Sequence, residues 1–141
     1  MSPQEHKAIA RRFLQDAFPQ GRFEQILALD YQDHNAPPGT LPGPAGIQQI
    51  TEPYRQAFPD LHFTIEDQVA EGDKVVTRFV FHGTHQGALM GIPPTGKQVH
   101  MEGISIYRIA DGQMQEAWVQ YDLLGLLQQL GAFPPAPAAV G

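Results

Sequence analysis

Apolar residues recur at intervals of three and four in the first part of the chain. Ile9, Phe13 and Ala17 fall on one side of a helix, and residues 2–5, Ser-Pro-Gln-Glu, form a capping box with proline at the first helical position. The proline and glycine of residues 19–21 mark the end of the pattern. These features predict an amino-terminal helix that begins at the capping box and ends at residues 19–21.

The same spacing predicts two more helices. Residues 23–29 have the pattern of a short helix, and residues 45–58 have that of a longer one, which Pro53 is expected to kink or break. Between them, residues 30–44 contain four prolines and two glycines, so this segment is predicted to be irregular. It carries the polar triplet Asp33-His34-Asn35 on a loop or strand stub.

After residue 60 the apolar period changes to two. Residues 61–66 alternate and residues 75–82 are rich in β-branched and aromatic side chains, which predicts strands, and residues 104–121 predict a hairpin closed at Asp111-Gly112. Helices that precede antiparallel strands indicate an α+β fold rather than an α/β fold. We expect a curved antiparallel sheet that packs its concave face on the amino-terminal helices and leaves a cone-shaped pocket for a ligand.

The direction of each side chain depends on the register of that hairpin. Glycine at the third loop position favours a three-residue loop closed by a G1 bulge. We expect Arg78 and His82 to face the pocket, and Thr77, Phe79 and Phe81 to form the opposite, packing face. The predicted cross-strand pairs are His100 with Asp122, Glu102 with Gln120, Ile104 with Trp118, and Ile106 with Glu116.

The composition limits the class of protein. A length of 141 residues with 42% hydrophobic content suits one domain over residues 1–132, followed by a disordered tail, rich in proline and alanine, over residues 133–141. A net charge of −6 with nine basic residues argues against a nucleic-acid partner. The sequence has no cysteine, which excludes disulfides and thiolate catalysis. It also lacks an apolar run of about 20 residues and the apolar core of a signal peptide, so we expect no membrane partner and a cytoplasmic location.

The candidate chemistry centres on the carboxylate of Asp122, at the junction between the last strand and a final helix. It is either a general base or a helix N-cap, and the two roles do not exclude each other. His34, His82 and His100 are candidates for orienting a substrate oxygen, but their spacing matches no zinc motif, so no metal is predicted. The sequence also shows no motif for a nucleophilic serine or a phosphate-binding loop.

Several motifs resemble those of one protein family. Residues 83–87 (Gly-Thr-His-Gln-Gly), 91–97 (Gly-Ile-Pro-Pro-Thr-Gly-Lys), 103–108 (Gly-Ile-Ser-Ile-Tyr-Arg) and 121–131 are similar to those of the SnoaL-like polyketide cyclases, a branch of the nuclear-transport-factor-2-like superfamily. The resemblance covers nearly all of the chain except the tail. It implies a cone-shaped α+β fold, a dimer or larger assembly and, in the authentic cyclases, a cofactor-free intramolecular aldol condensation that closes a polyketide ring.

The resemblance also implies roles for single residues. The acid/base aspartate of the family matches Asp122, and its polar pocket residue matches Asn35 or the adjacent His34. Where the cyclases have a histidine on the neighbouring strand, this chain has Arg108, so that role is either vacant or taken by His100.

We therefore predict an enzyme without a cofactor that abstracts a proton α to a carbonyl of a small hydrophobic substrate, for aldol ring closure or isomerisation. The alternatives are a non-catalytic ligand-binding or dimerisation domain, and an epoxide or lactone hydrolase. A homodimer or larger assembly is expected through the convex face of the sheet. The residues predicted to contact the substrate are His34, Asn35, Arg78, His82, His100, Glu102, Trp118 and Gln120, with Asp122 as the catalytic acid/base.

Overall fold

A computed structural model of the chain describes residues 2–132. Helix α1 (Pro3–Arg12) begins at the expected capping box, in which the Ser2 hydroxyl oxygen accepts a hydrogen bond from the Glu5 amide at 3.1 Å. The helix continues through a wider π turn (Phe13–Ala17) into α2 (Phe18–Gln20), which ends at a glycine with a φ of 68°. The predicted amino-terminal helix is confirmed.

The second predicted helix, over residues 23–29, is wrong. Leu27–Asp33 form strand β1, which pairs in parallel with the last strand, with Asp33 opposite Ala117. The apolar spacing of so short a segment fits a helix or a strand. Here residues 27–33 form a strand, because strand β5, distant in sequence, provides the partners for their backbone hydrogen bonds.

Helix α3 (Gly43–Ala57) corresponds to the third predicted helix and starts two residues earlier than expected. Pro53 lies inside this helix and does not end it. The proline-rich segment between β1 and α3 is irregular, as predicted.

Four further strands complete a five-stranded curved sheet. They are β2 (His62–Glu71), β3 (Lys74–Thr84), β4 (Gln98–Ala110) and β5 (Gln113–Tyr121), and a last helix, α4 (Leu123–Gln129), follows β5. The strand order is β1-β5-β4-β3-β2, and among the described strands every neighbouring pair except β1 and β5 is antiparallel. The core lies between the helices and one face of this sheet, so the predicted α+β fold is confirmed.

The turn between β4 and β5 differs from the predicted one. Asp111 and Gly112 both have positive φ, 54° and 76°, and Ala110 pairs directly with Gln113. The loop therefore has two residues rather than three. Aspartate tolerates the left-handed conformation, which lets the chain adopt the tight turn whose twist matches the strands.

A bulge at Gln115 moves the pairing of this hairpin one residue further. Ile104 therefore lies opposite Gln120 rather than Trp118, and the four predicted pairs are wrong. The observed and predicted registers differ by two residues, and side chains along a strand alternate with a period of two. The side chains that were predicted to lie on one face of the hairpin therefore still lie on one face.

The two faces of the sheet are inverted relative to the prediction. Thr77, Phe79 and Phe81 are buried on the concave face, whereas Arg78 is exposed and His82 is half-buried on the outer, convex face. The helices cover the side of the sheet that carries the bulkiest apolar groups, because burying those groups is most favourable. Phe79 and Phe81 thus do not form the convex surface through which a homodimer was expected.

Across residues 2–132, no helix is long and apolar enough to cross a membrane. The predicted disordered tail, residues 133–141, lies outside the described residues.

Candidate active site

A cavity of about 530 Å³ lies between the concave face of the sheet and the helices. Its volume falls within the range of about 300–1,000 Å³ that is typical of small-molecule sites. The aromatic side chains in its wall are Phe13, Phe18, Tyr31, Tyr54, Phe63, Phe79, Phe81, Tyr107 and Tyr121. A wall of this composition suits a flat, largely apolar ligand.

Among the carboxylates of residues 2–132, Asp33 is the one that lines this cavity. It ends strand β1, is half-buried, and its Oδ1 accepts a hydrogen bond from the Asn35 backbone N–H at 2.9 Å. Burial raises the pKa of the Asp33 carboxyl above its ordinary value of 3.8, and the Asn35 amide and His34 oppose part of that rise. A carboxylate with a raised pKa is suited to general acid/base catalysis closer to neutral pH.

Asn35 and two phenols supply hydrogen-bond donors to the same cavity. Asn35 Oδ1 accepts a hydrogen bond from the Val119 backbone N–H at 2.7 Å, so its NH2 group is the part that can donate to a ligand. Tyr54 lines the cavity from α3, and Tyr121 lines it from the end of β5. Burial first, and the neighbouring Tyr121 second, raise the pKa of Tyr54, so its hydroxyl is protonated at neutral pH.

Two more phenols, Tyr31 and Tyr107, are buried near Asp33. The pKa of each is raised mainly by burial, with a further contribution from the Asp33 carboxylate. Asp33 thus belongs to a polar cluster set into an otherwise apolar wall. Phenols and an amide of this kind can stabilise negative charge on a carbonyl oxygen or an enolate.

Asp122, the predicted catalytic residue, caps helix α4. Its Oδ1 accepts a hydrogen bond from the Gly125 backbone N–H at 2.9 Å, and its side chain is exposed and is not part of the cavity wall. A Cβ at position 125 would lie 2.3 Å from Asp122 Oδ2, so a larger residue there would require the Asp122 side chain to shift. The preceding residue, Tyr121, lines the cavity instead.

Four of the predicted site residues do come together, but on the outer face of the sheet. Arg78, Glu102, Gln120 and Asp122 border a shallow depression of about 340 Å³. Arg78 donates two hydrogen bonds to Asp67 Oδ2, from Nε at 2.9 Å and from Nη2 at 2.6 Å. Its charge is therefore already paired, on the side of the sheet opposite the cavity.

His82 and His100 also lie on the outer face, in a row with His62 across strands β2, β3 and β4. The rings of His62 and His82 stack with their centroids 4.9 Å apart, and His82 Nε2 lies 3.1 Å from Thr64 Oγ1. Burial, then His62 and His100, lower the pKa of His82. These contacts favour the neutral form of the His82 imidazole.

His34 and Trp118 stack on each other outside the cavity, with ring centroids 4.6 Å apart. His34 Nε2 lies 2.6 Å from Glu116 Oε2, and Arg108 Nε donates to Glu116 Oε1 at 2.6 Å. Hydrogen bonds from His34 first and Arg108 second lower the pKa of Glu116. Arg108 therefore holds a surface ion pair and does not take a role in the cavity.

Of the nine predicted site residues, Asn35 lines the cavity. Asp33 and the four tyrosines of the cavity were not among the predicted site residues. Tyr31 and Asp33 lie on β1, the start of which was predicted as a helix, and Tyr107 and Tyr121 lie on strands whose faces were predicted in reverse. Tyr54 lies on α3, which was predicted without assigning a residue of this helix to the site. One feature of the sequence could have found two of them. Tyr31 and Asp33 alternate with Asp30 and Gln32, the pattern of a strand with one inward face.

Characterised proteins are similar to this chain in sequence, and solved structures are similar to it in fold. Nogalonic acid methyl ester cyclase of Streptomyces nogalater is 30% identical over 120 residues, which cover 82% of this chain and 90% of that protein. Aklanonic acid methyl ester cyclase DnrD of Streptomyces peucetius is 31% identical over 98 residues, which cover 69% of this chain and 68% of that protein. The structure of TsrD from Streptomyces laurentii matches with a TM-score of 0.83 at 32% identity, over 94% of this chain and 99% of that one.

The family model of the SnoaL-like polyketide cyclases matches residues 8–130, which span most of the chain. The described fold, with its helices on the concave face of a five-stranded sheet, agrees with that match. The chain therefore belongs to the SnoaL-like polyketide cyclase family.

Proposed function

We propose that this protein closes a ring in an apolar, carbonyl-bearing substrate by an intramolecular aldol reaction that uses acid/base side chains and no cofactor. The observation that carries the proposal is the Asp33 carboxylate, whose pKa burial raises, inside an aromatic cavity. The family of the chain and the names of its two cyclase relatives support ring closure as the type of reaction.

In the proposed reaction Asp33 removes a proton from the carbon α to a carbonyl, and the C–H electron pair passes into an enolate. Tyr54 and Tyr121 donate hydrogen bonds to the enolate oxygen as its charge develops. The enolate carbon then bonds to a second carbonyl carbon, and the oxygen of that carbonyl takes the proton back from Asp33. The sum is an isomerisation without a change in oxidation state, so acid/base groups suffice.

Asp122 is the competing candidate for the base, because the acid/base aspartate of the family matches this position. Its exposure and the hydrogen bond from Gly125 favour a structural role. The Asp122 backbone N–H also donates to the Glu102 carbonyl oxygen at 3.0 Å, which anchors the end of β5. We assign to Asp122 the cap of α4 and, through that anchor, the positioning of Tyr121.

Incubation in D2O with aklanonic acid methyl ester and nogalonic acid methyl ester tests the proposal. We expect deuterium to enter at the α carbon of the substrate and an isomeric cyclised product to appear, both followed by liquid chromatography and mass spectrometry. The rate should be the same with and without EDTA. Hydrolysis of the methyl ester to the free acid, with release of methanol, would support a hydrolase instead, and binding without exchange or product would support a non-catalytic domain.

We also propose that two copies of the chain pair through the outer face of the sheet. That face exposes Ile104 and Ile106, and Val76 and Val80 lie half-buried on it. A stable interface of standard size buries about 1,600 Å² in total. We expect sedimentation equilibrium to give twice the chain mass of 15.6 kDa, and Ile104→Asp to give the monomer.

Leu29→Asp is the matched control for this interface, because Leu29 is 89% exposed on strand β1. This variant should sediment like the unmodified chain. An unmodified chain that sediments as a monomer at micromolar concentration would contradict the proposed pairing.

A further inference from the structure

A tight turn at residues 89–92 stands at the edge of the cavity. Leu89 N–H donates to the Ile92 carbonyl oxygen at 3.1 Å, and Ile92 N–H donates to the Leu89 carbonyl oxygen at 2.8 Å. The two central residues, Met90 and Gly91, have positive φ values of 49° and 79°. This is the left-handed turn geometry that favours asparagine, aspartate or glycine at both central positions.

The hairpin turn at Asp111-Gly112 has the same geometry, with residue types that favour it. Its φ values of 54° and 76° are similar, but its first central residue is an aspartate, whose short polar side chain tolerates this conformation. Met90 has no such group and is sterically disfavoured there. A non-glycine residue held at positive φ points to a function for its side chain.

Packing does not explain the conformation of Met90, because the residue is 60% exposed. The turn beneath it is firmly held: Leu89 is 2% exposed, and the backbone N–H groups of Gln86 and Gly87 donate to the Ala57 carbonyl oxygen at 2.9 and 3.0 Å. Met90 nevertheless contributes to the wall of the cavity, as Leu89 does. An exposed side chain in a cavity wall lies at the mouth, where a ligand can cover it.

We propose that Met90 is a specificity-determining residue whose apolar side chain packs against an aromatic ring of the substrate at the mouth of the cavity. The inference rests on the proposed function for the reacting end of the substrate. Methionine sulfur forms favourable contacts with aromatic rings, and its unbranched chain adapts to their position. A longer multi-ring aromatic ketone is therefore expected to contact Met90 more than a shorter one.

Two carbonyl probes of different length test this inference by equilibrium dialysis. They are 1,8-dihydroxyanthraquinone, with three fused rings, and 1-tetralone, with two. Met90→Asn removes the apolar side chain but suits the turn. We expect it to weaken binding of the anthraquinone by about fivefold, the effect of uncovering part of one methionine side chain, and to change binding of 1-tetralone by less than about twofold.

Met90→Leu keeps an apolar side chain at the mouth and should bind the anthraquinone within about twofold of the unmodified chain. Leu29→Asn removes an exposed apolar side chain on β1 and should change neither affinity. The melting temperature of Met90→Asn should rise, because asparagine tolerates the left-handed conformation.

Unchanged anthraquinone affinity in Met90→Asn overturns the inference, as does an equal loss of affinity for both probes. An unmodified chain that binds neither probe overturns it as well. A different result would contradict the proposed function alone. In that case the unmodified chain would bind the anthraquinone in a Met90-dependent way but would exchange no α-proton of the ester substrates in D2O.

Discussion

Replacement of Asp33 by asparagine is expected to slow α-proton exchange and ring closure by about 10²- to 10⁴-fold, because an amide cannot accept the proton. Asparagine keeps the volume of the side chain and an oxygen that can accept the hydrogen bond from the Asn35 backbone N–H. The fold and the cavity should therefore persist. Deuterium incorporation into the ester substrates measures the rate, and equilibrium dialysis with 1,8-dihydroxyanthraquinone measures binding.

The same substitution is expected to stabilise the protein at neutral pH. Burial raises the pKa of Asp33 above 3.8, so between 3.8 and the raised value the folded chain binds more protons than the unfolded chain. The free energy of unfolding therefore falls as the pH rises through this window, and above it the ionised carboxylate is a constant penalty. Asp33→Asn removes that penalty. Its melting temperature should exceed that of the unmodified chain above the window, and the difference should shrink below pH 3.8.

Asp30→Asn is the matched control, since Asp30 lies on the same strand with an exposed side chain that is not part of the cavity wall. It should alter neither the exchange rate nor the melting temperature at neutral pH. Full turnover in Asp33→Asn would remove Asp33 from the mechanism. A melting temperature that falls at neutral pH would contradict the assignment of a half-buried, destabilising carboxylate.

Asp122→Asn is expected to leave the rate of ring closure within about threefold of the unmodified chain and the melting temperature nearly unchanged, because asparagine caps helices about as well as aspartate. Asp122→Ala removes the acceptor for the Gly125 backbone N–H and should lower the free energy of unfolding by about 0.5–2 kcal/mol. Urea unfolding of the three chains measures this difference, and the exchange assay in D2O measures the rate.

The opposite outcome for Asp122→Asn would show that Asp122, and not Asp33, is the base. A loss of about 10²- to 10⁴-fold in rate for Asp122→Asn, with normal folding and normal binding of the anthraquinone, would identify Asp122 as the base. The assignment of Asp33 would then be wrong, and the cap would be a second role of the catalytic side chain.

Features that depend on neighbouring residues could be predicted from the sequence. The hydroxyl of Ser2 and the carboxylate of Glu5 defined the start of the first helix, and the two-residue period defined the strands that follow residue 60. The position of the turn at Asp111-Gly112 also followed, since an aspartate followed by glycine tolerates positive φ. The motifs of the second half identified the family, which the match over residues 8–130 confirms.

The composition of the site, in contrast, was decided by the tertiary structure. Residues 27–33 became a strand because β5 offers them hydrogen-bond partners, and the bulge at Gln115 set a register that the turn alone does not specify. The alternation along β3 shows that Arg78 and Phe79 lie on opposite faces of the sheet. It does not show which of the two faces the helices cover. Only the packing of the helices against the Phe79 side made that side the cavity, and so placed Asp33 and the tyrosines inside it and Arg78 outside.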